Sequence, residues 1–179
     1  MTRPEGTRTK VSRPKVKRLK VKRLKVFFDT SALIEGLIDL GPRYKAGVAL
    51  LDLVARRRRS IRAATAWACC LEFYAIATRL PEEFRPSPED ALALLEHEVL
   101  RHFEIHELGE TTRLPYLRTS IKEGVHGGRI YDAHAAEIAR QSGCSIVVSE
   151  NTRHFATLER EGMRVLTAAE ALRALSRYR

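Results

Sequence analysis

The 179-residue sequence has few cysteines and no long apolar run. Cys69, Cys70 and Cys144 make an odd count without CxxC spacing, and adjacent cysteines hardly pair with each other, so no disulfide framework is indicated. No segment approaches the roughly 20 apolar residues that a membrane-spanning helix needs. The N-terminus also lacks the apolar centre of a secretory signal. These absences predict a reduced protein of the cytoplasm.

The sequence also lacks the short motifs of several enzyme classes. It contains no Walker, GxGxxG or GxSxG pattern, and its six histidines show neither HExxH nor zinc-finger spacing. A phosphoryl-transfer aspartate in FFDTSA would need a second aspartate two residues on, where Ser31 stands instead. Nucleotide-binding loops, zinc sites and serine hydrolase chemistry are therefore not indicated.

Positive charge is concentrated at the N-terminus. Residues 1–25 contain eleven Lys or Arg and one Glu, whereas the remaining 154 residues contain 21 basic and 21 acidic side chains. The unit VKRLK occurs in tandem at 16–20 and 21–25. We predict a basic, flexible arm at 1–25 and one domain at 26–179. The arm is either an electrostatic contact for RNA or another polyanion, or a solvated extension without a ligand.

From Val26 onward, short apolar strands alternate with helical patterns. This alternation predicts an α/β fold, with three layers (α/β/α) and a short parallel sheet. The hydrophobic content of 44% is enough for a buried core. The predicted strands are 26–28, 60–65, 103–106, 144–149 and 163–167. The predicted helices are 31–39, 44–58, 67–79, 87–100, 109–123, 130–141 and 168–175.

Three acidic residues stand inside otherwise apolar segments. Asp29 ends the first strand, Glu72 lies in AWACCLEFYAIA, and Asp132 lies in the first turn of the helix in GGRIYDAHAAEIA. Each has a simpler explanation: Asp29 can cap the next helix, Glu72 can face solvent or pair with Arg79, and the helix dipole favours Asp132. Together they fit one edge of a parallel sheet, where a divalent cation would relieve the repulsion between them.

Three segments resemble the PIN-domain family, and in particular its VapC-type toxin ribonucleases. They are VFFDTSALIEG, ACCLEFYAIA and GGRIYDAHAAEIARQSGCSIVVSENTRHF, and the resemblance runs from Val26 to about Leu175. It implies a metal-dependent endoribonuclease that cleaves RNA phosphodiester bonds with a metal-activated water. It further implies Mg²⁺ or Mn²⁺ as cofactor, a toxin role in a toxin–antitoxin pair, a small antitoxin partner and a homodimer.

The resemblance also implies a set of site residues. Four residues are expected to hold the metal and carry the catalysis: Asp29, Glu72, Asp132 and Asn151. The last position is often Asp in the family, although an amide oxygen still ligates a hard cation. Glu150, next to Asn151, is the alternative fourth ligand. Ser31 is expected to orient Asp29 or a bound water.

Basic residues around this site are expected to contact RNA, although a solvated surface is the default explanation for each of them. The expected contacts are Arg129, Arg153, Lys122, the run Arg56–Arg59, and Lys22 and Arg23 at the end of the arm. Two other functions stay open. The missing fourth acid is compatible with a non-catalytic RNA-binding module, and the basic arm is compatible with an RNA-processing nuclease that is not a toxin.

Overall fold

A computed structural model describes residues 23–178 of the chain. Five strands form one sheet in which every neighbouring pair is parallel, in the order β3-β2-β1-β4-β5. The strands are short and their residues are mostly buried, as expected where helices cover both faces of a parallel sheet. They are β1 (Leu24–Phe28), β2 (Ile61–Ala66), β3 (Glu104–His106), β4 (Ile146–Val148) and β5 (Arg164–Leu166).

Eight α-helices occur between residues 23 and 178. They are α1 (Thr30–Leu37), α2 (Lys45–Arg56), α3 (Trp67–Ala77), α4 (Pro88–Leu94), α5 (Glu110–Lys122), α6 (Arg129–Gln141), α7 (Ala156–Arg160) and α8 (Ala168–Ser176). A π-helical stretch, Leu95–Leu100, continues α4, and 3₁₀ turns occupy Pro42–Tyr44 and Thr152–Phe155. None of these described helices is long and apolar enough to cross a membrane.

The predicted fold class is confirmed. The connections from β1 to β2 to β3 move one way along the sheet, and those from β3 to β4 to β5 cross to the other side of β1. Because such connections are almost always right-handed, the change of direction places helices on both faces and makes three layers. All predicted strands and helices are present, whereas α7 and the 3₁₀ turns were not predicted.

The predicted arm lies outside the described residues except for its last three, Arg23, Leu24 and Lys25. Leu24 and Lys25 belong to β1, where they pair with the start of β2. The ammonium of Lys25 donates to the Ser142 carbonyl at 3.0 Å and pairs with Glu104 at 2.7 Å. These contacts tie Lys25 into the domain. Lys22 lies outside the described residues.

Candidate active site

The order of the strands reverses between β1 and β4, and the carboxyl ends of these two strands carry most of the predicted site. Phe28 pairs with Val148 in the last register position, so the residues that follow each strand emerge side by side. Asp29 follows β1, and Ser149 follows β4. A crevice outside the strand ends at such a reversal is the usual ligand site of an open α/β sheet.

Three hydrogen bonds fix the Asp29 carboxylate. Oδ1 accepts from the Ala32 backbone N–H at 2.9 Å and from the Ser31 hydroxyl at 2.8 Å, and Oδ2 accepts from the Ser149 hydroxyl at 2.6 Å. The bond from Ala32 makes Asp29 the N-cap of α1. The cap explanation and the site explanation are therefore compatible, because the carboxylate retains a free lone pair on Oδ2.

Burial of Asp29 works against its charge. Its side chain is almost fully buried, and this burial raises its pKa to about 6, against the opposing effect of the bonds from Ser149, Ala32 and Ser31. The negative charge of Asp132 contributes to this rise of the pKa. The structure thus brings Asp29 and Asp132 within electrostatic reach of each other. A bound cation would lower the cost of keeping both carboxylates ionised.

Glu72 is joined to the same region through Thr30. The Thr30 hydroxyl donates to Glu72 Oε2 at 2.5 Å, which connects the start of α1 to α3. Thr30 directly follows Asp29 in the chain, so this bond holds the Glu72 carboxylate near the end of β1. Arg79 instead donates to the Ala75 carbonyl at 2.7 Å, and the alternative pairing of Glu72 with Arg79 is wrong.

Asp132 is held by a histidine. Oδ2 of Asp132 lies 2.7 Å from Nδ1 of His154, which belongs to the 3₁₀ turn after β4. Both side chains are half-buried. The contact joins the first turn of α6 to the residues beyond β4 and fixes one Asp132 oxygen. His154 is thus a positioning group for Asp132, a role that the sequence analysis did not assign to it.

Glu150 and Asn151, the two candidates for the fourth position, have different surroundings. Glu150 Oε1 accepts from the Ala168 backbone N–H at 3.0 Å, at the start of α8. Its carboxylate also stands beside Glu35, whose pKa burial and the neighbouring Glu150 raise to about 7. The Asn151 side chain is exposed and makes no hydrogen bond within residues 23–178. Its backbone N–H donates to the Ser149 hydroxyl at 3.0 Å, beside Asp29.

The donor set fits a hard divalent cation. All the candidate ligands offer oxygen, and the acids Asp29 and Asp132 interact while Glu72 is tethered next to Asp29. Among the described residues, no group of three or more His, Cys, Asp or Glu side chains is arranged as a ready-made metal cage. Mg²⁺ commonly uses only one or two carboxylates and keeps several waters, so an open arrangement of this kind suits it.

The basic residues predicted to surround the site divide into two groups. Arg129 begins α6, and Arg153 lies in the 3₁₀ turn Thr152–Phe155 beside His154. Both are exposed and lie on the same segments as Asp132 and its histidine. These two arginines therefore lie on the elements that carry Asp132 and His154, and their contact with RNA stays a prediction.

The run Arg56–Arg59 lies at the amino ends of the strands, opposite the acidic site. Arg23 lies at the same end. The run connects the end of α2 to the start of β2, and Arg23 immediately precedes β1. In a parallel sheet, the starts of the strands are separated from their ends by the full strand length. The prediction that Arg56–Arg59 surround the acidic site is wrong.

Sequence reasoning missed the hydroxyls that organise the acids. Thr30 and Ser149 are buried polar residues, and each donates to an acidic side chain of the site. Their positions were the available signal. Thr30 directly follows Asp29 at the end of β1, and Ser149 directly follows the apolar run of β4. Glu35 was also missed, because its place in the helical pattern of α1 does not reveal that it meets Glu150.

Solved structures with the same architecture were found by structural comparison. PAE2754 from Pyrobaculum aerophilum shares 19% identity, with a TM-score of 0.57 over 86% of this chain and 98% of its own. VapBC-1 from nontypeable Haemophilus influenzae shares 15%, with a TM-score of 0.56 over 81% and 98%. VapC20 from Mycobacterium tuberculosis, described as a Sarcin-Ricin loop cleaving toxin, shares 12%, with a TM-score of 0.55 over 74% and 94%. At these identities the likeness establishes the fold.

Sequence comparison identifies the family. A comparison with curated protein sequences found no match. The family profile for the PIN domain, in contrast, matches residues 25–153, which is most of the chain and includes all four predicted site positions. The resemblance seen in the sequence is thereby confirmed, and the chain belongs to the PIN-domain family.

Proposed function

We propose that this protein is an endoribonuclease that depends on Mg²⁺ or Mn²⁺. The observation that carries the proposal is the Asp29 carboxylate, buried at the strand-order reversal, fixed by three hydrogen bonds and facing the charge of Asp132. Keeping such a carboxylate buried is costly unless a cation offsets its charge. Membership of the PIN-domain family supports nuclease chemistry at this position.

Each residue has a defined part in this proposal. Bound Mg²⁺ or Mn²⁺ would supply an activated water and stabilise the charge that develops on the scissile phosphate. Asp29 and Asp132 would be the principal ligands, with Glu72 and Asn151 completing the oxygen set directly or through water. Three polar side chains keep the acids in place. The hydroxyl of Ser149 holds Asp29, and the hydroxyl of Thr30 holds Glu72. The imidazole of His154 holds Asp132.

We further propose that the enzyme is the toxin of a toxin–antitoxin pair in the cytoplasm. The support is the fold shared with VapBC-1 of Haemophilus influenzae and with VapC20, which is described as a Sarcin-Ricin loop cleaving toxin. A small antitoxin is then the expected partner. Induced expression of the chain alone should arrest growth of a bacterial host, and co-expression of the product of an adjacent small open reading frame should restore it.

An exposed apolar face supports the expectation of protein partners. Helices α3, α5 and α6 meet around a cavity of about 280 Å³ whose lining is mostly apolar. The large apolar side chains exposed on these helices are Trp67, Leu71, Tyr74, Leu114, Leu117, Ile121 and Tyr131. Contiguous apolar patches on a protein surface commonly mark contacts with other proteins. We propose a second copy of the chain as the occupant of this apolar face.

Cleavage of RNA by the purified full-length protein tests the enzymatic proposal. We expect Mn²⁺ to support cleavage, and we expect both EDTA and Asp132→Asn to reduce the rate by about a hundredfold or more, because charge stabilisation at the phosphate is lost. Asp52→Asn is the matched control, since Asp52 is exposed on α2 away from the site. Cleavage that persists in EDTA and in Asp132→Asn would contradict the metal mechanism.

The amide at the fourth position favours one alternative. Asn151 carries no charge, so the site has one acid fewer than the family pattern that the sequence resembles. A non-catalytic RNA-binding module with the same fold would tolerate that change. RNA binding without any cleavage in Mn²⁺ would favour this alternative over the enzyme.

A further inference from the structure

A cluster of arginines covers the edge of the sheet where the strands begin. We call it the arginine surface, and it consists of Arg23, Arg56, Arg58, Arg59 and Arg62. All five side chains are exposed. Arg23 precedes β1, Arg62 is the second residue of β2, Arg56 ends α2, and Arg58 and Arg59 lie between α2 and β2. The cluster therefore forms one continuous patch at the end of the domain opposite the acidic site.

Arg57 stands in the same run but has a structural task. Its guanidinium donates to the carbonyls of Leu175 at 2.7 Å and of Tyr178, at the end of α8. These bonds satisfy free carbonyls of the last helical turn. Tyr178 lines the same depression as Arg56–Arg59.

The arginine surface borders two adjoining depressions that share Ala55 and Arg58. One has a volume of about 290 Å³, with Arg23, Arg58 and Arg62 among its lining residues. Apolar side chains also line it: Leu51, Val54, Ile61 and Phe103. The other depression contains Tyr178. Positive side chains beside apolar or aromatic surface are the combination that binds single-stranded nucleic acid, with phosphates on the charges and bases on the apolar part.

Few acids offset this charge. Glu104 pairs with Lys25 and Arg62. Arg58 contacts the His102 ring at 3.2 Å and the Ala55 carbonyl, and within residues 23–178 neither Arg56 nor Arg59 pairs with an acid. The segment 1–22, which directly precedes Arg23, contains nine Lys and Arg residues. The positive charge of the arginine surface repels that basic segment and attracts an anionic ligand.

We propose that the arginine surface is a second RNA-binding site, which binds the phosphate backbone of single-stranded RNA away from the acidic site. The inference rests on the proposed ribonuclease function for the identity of its ligand. Five residues of β1, at about 3.3 Å each, separate the two sites by roughly 16 Å. An RNA of more than a few nucleotides can therefore contact both, and the arginine surface adds affinity that is independent of the metal.

RNA binding by a full-length Asp132→Asn protein in EDTA tests this site without interference from cleavage. The probe is a fluorescently labelled, unstructured 20-nucleotide RNA, followed by anisotropy at several salt concentrations. The test variant carries Arg56→Gln, Arg58→Gln and Arg59→Gln and leaves Arg57 in place. The matched control carries Arg85→Gln, Arg118→Gln and Arg160→Gln, so that both proteins lose the same charge from exposed positions.

We expect the test variant to bind about tenfold more weakly and to lower the salt slope by about two, since each lost phosphate contact on a single strand contributes roughly 0.7. The control should change affinity less than twofold. Equal weakening by both variants would overturn the proposal, because net charge alone would then explain the binding. Unchanged binding by the test variant would also overturn it, because these arginines would then not contact the RNA.

The outcome is separable from the proposed enzymatic function. Binding that depends on the arginine surface in a protein that never cleaves RNA would leave this site standing and remove the nuclease. Cleavage that depends on Mn²⁺, with binding unaffected by the three arginine substitutions, would support the nuclease and remove the second RNA-binding site.

Discussion

At the scale of single residues, two pairs of acids near the end of β4 differ in their burial and in their hydrogen-bond partners. Asp29 and Asp132 face each other with hydroxyl and imidazole partners that hold each carboxylate in place. Glu35 and Glu150 meet in the other pair, where Glu35 is buried and its Oε2 has no hydrogen-bond partner within residues 23–178. Hydrogen bonds to Asp29 oppose the effect of burial on its pKa, whereas burial and the neighbouring Glu150 together raise the pKa of Glu35.

The raised pKa of Glu35 predicts that the free energy of unfolding depends on pH. Burial and Glu150 raise its pKa from 4.5 to about 7 in the folded protein. The folded state therefore binds a proton that the unfolded state releases, and the stabilisation present below pH 4.5 is lost as the pH rises to about 7. Glu35→Gln keeps a neutral side chain at every pH, so it should be more stable than the parent at pH 8 by on the order of 1–3 kcal/mol.

Urea denaturation at pH 5 and pH 8 measures this difference. The gain from Glu35→Gln should be larger at pH 8 than at pH 5, and the exposed Glu82→Gln is the matched control, with no expected difference between the two pH values. A gain of equal size at both pH values would show that Glu35 does not titrate as proposed.

Single residues also show which parts of the site the sequence could predict. Asp29 and Asp132 stood out because each is an acid inside an apolar segment, at a strand end or a helix start. Their partners could not be found in this way. Thr30 contacts a residue 42 positions away and Ser149 one 120 positions away, and such pairings depend on how helices pack over the sheet.

At the scale of elements, α1 and α2 approach closely at Gly47. A Cβ added at Gly47 would lie 2.6 Å from Glu35 Cγ and 2.7 Å from the Glu35 backbone carbonyl. The Gly47 N–H also donates to Glu35 Oε1 at 3.2 Å. The crossing of these two helices therefore depends on the absence of a side chain at this position, and it places Glu35 beside Glu150.

Gly47→Ala is expected to destabilise the fold. The helices must separate to admit a methyl group against backbone atoms, which costs about 1–3 kcal/mol and outweighs the higher helix propensity of alanine. Gly128→Ala is the control, since no atom lies within 4 Å of its added Cβ and its φ is −62°. Thermal or urea unfolding should show loss for the first variant only. Equal stability of the two would contradict the close approach.

The order of strands and helices followed from hydrophobic period and capping signals. The Ser87 hydroxyl accepts the Asp90 N–H at 3.0 Å and Pro88 occupies the first helical position, two capping features that the sequence itself displays. Pro115 lies inside α5, the helix predicted at 109–123. Proline removes one hydrogen bond of the helix, yet α5 continues to Lys122. The turn Thr152–Phe155 is too short for a period to be recognised.

At the scale of the whole molecule, three surfaces with different chemistry are distributed around one sheet. The acidic site lies at the carboxyl ends of the strands, the arginine surface lies at their starts, and the apolar face is formed by α3, α5 and α6. Composition located the positive charge of the first 25 residues but not the arginine surface, because the remaining 154 residues balance to zero. Charge separation within a neutral domain becomes visible only after folding.

The apolar face carries the last prediction, which concerns self-association. Ile121 is 73% exposed, and Leu117 and Leu114 lie on the same side of α5 at helical spacing. A stable dimer commonly buries about 800 Å² per partner, and we expect α3 and Tyr131 to contribute to that contact together with α5. Sedimentation of the purified chain should therefore show a dimer. Leu117→Glu with Ile121→Glu should shift it to a monomer, because charges would be buried without partners.

Leu92→Glu is the control for this experiment. Leu92 is 49% exposed on α4, outside the apolar face, so the same kind of substitution there should leave the dimer intact. A chain that sediments as a monomer without any substitution would show that a second copy does not cover the face. Dissociation by Leu92→Glu as well would place the contact elsewhere. Of these two outcomes, only a monomeric parent would leave the apolar face free for an antitoxin.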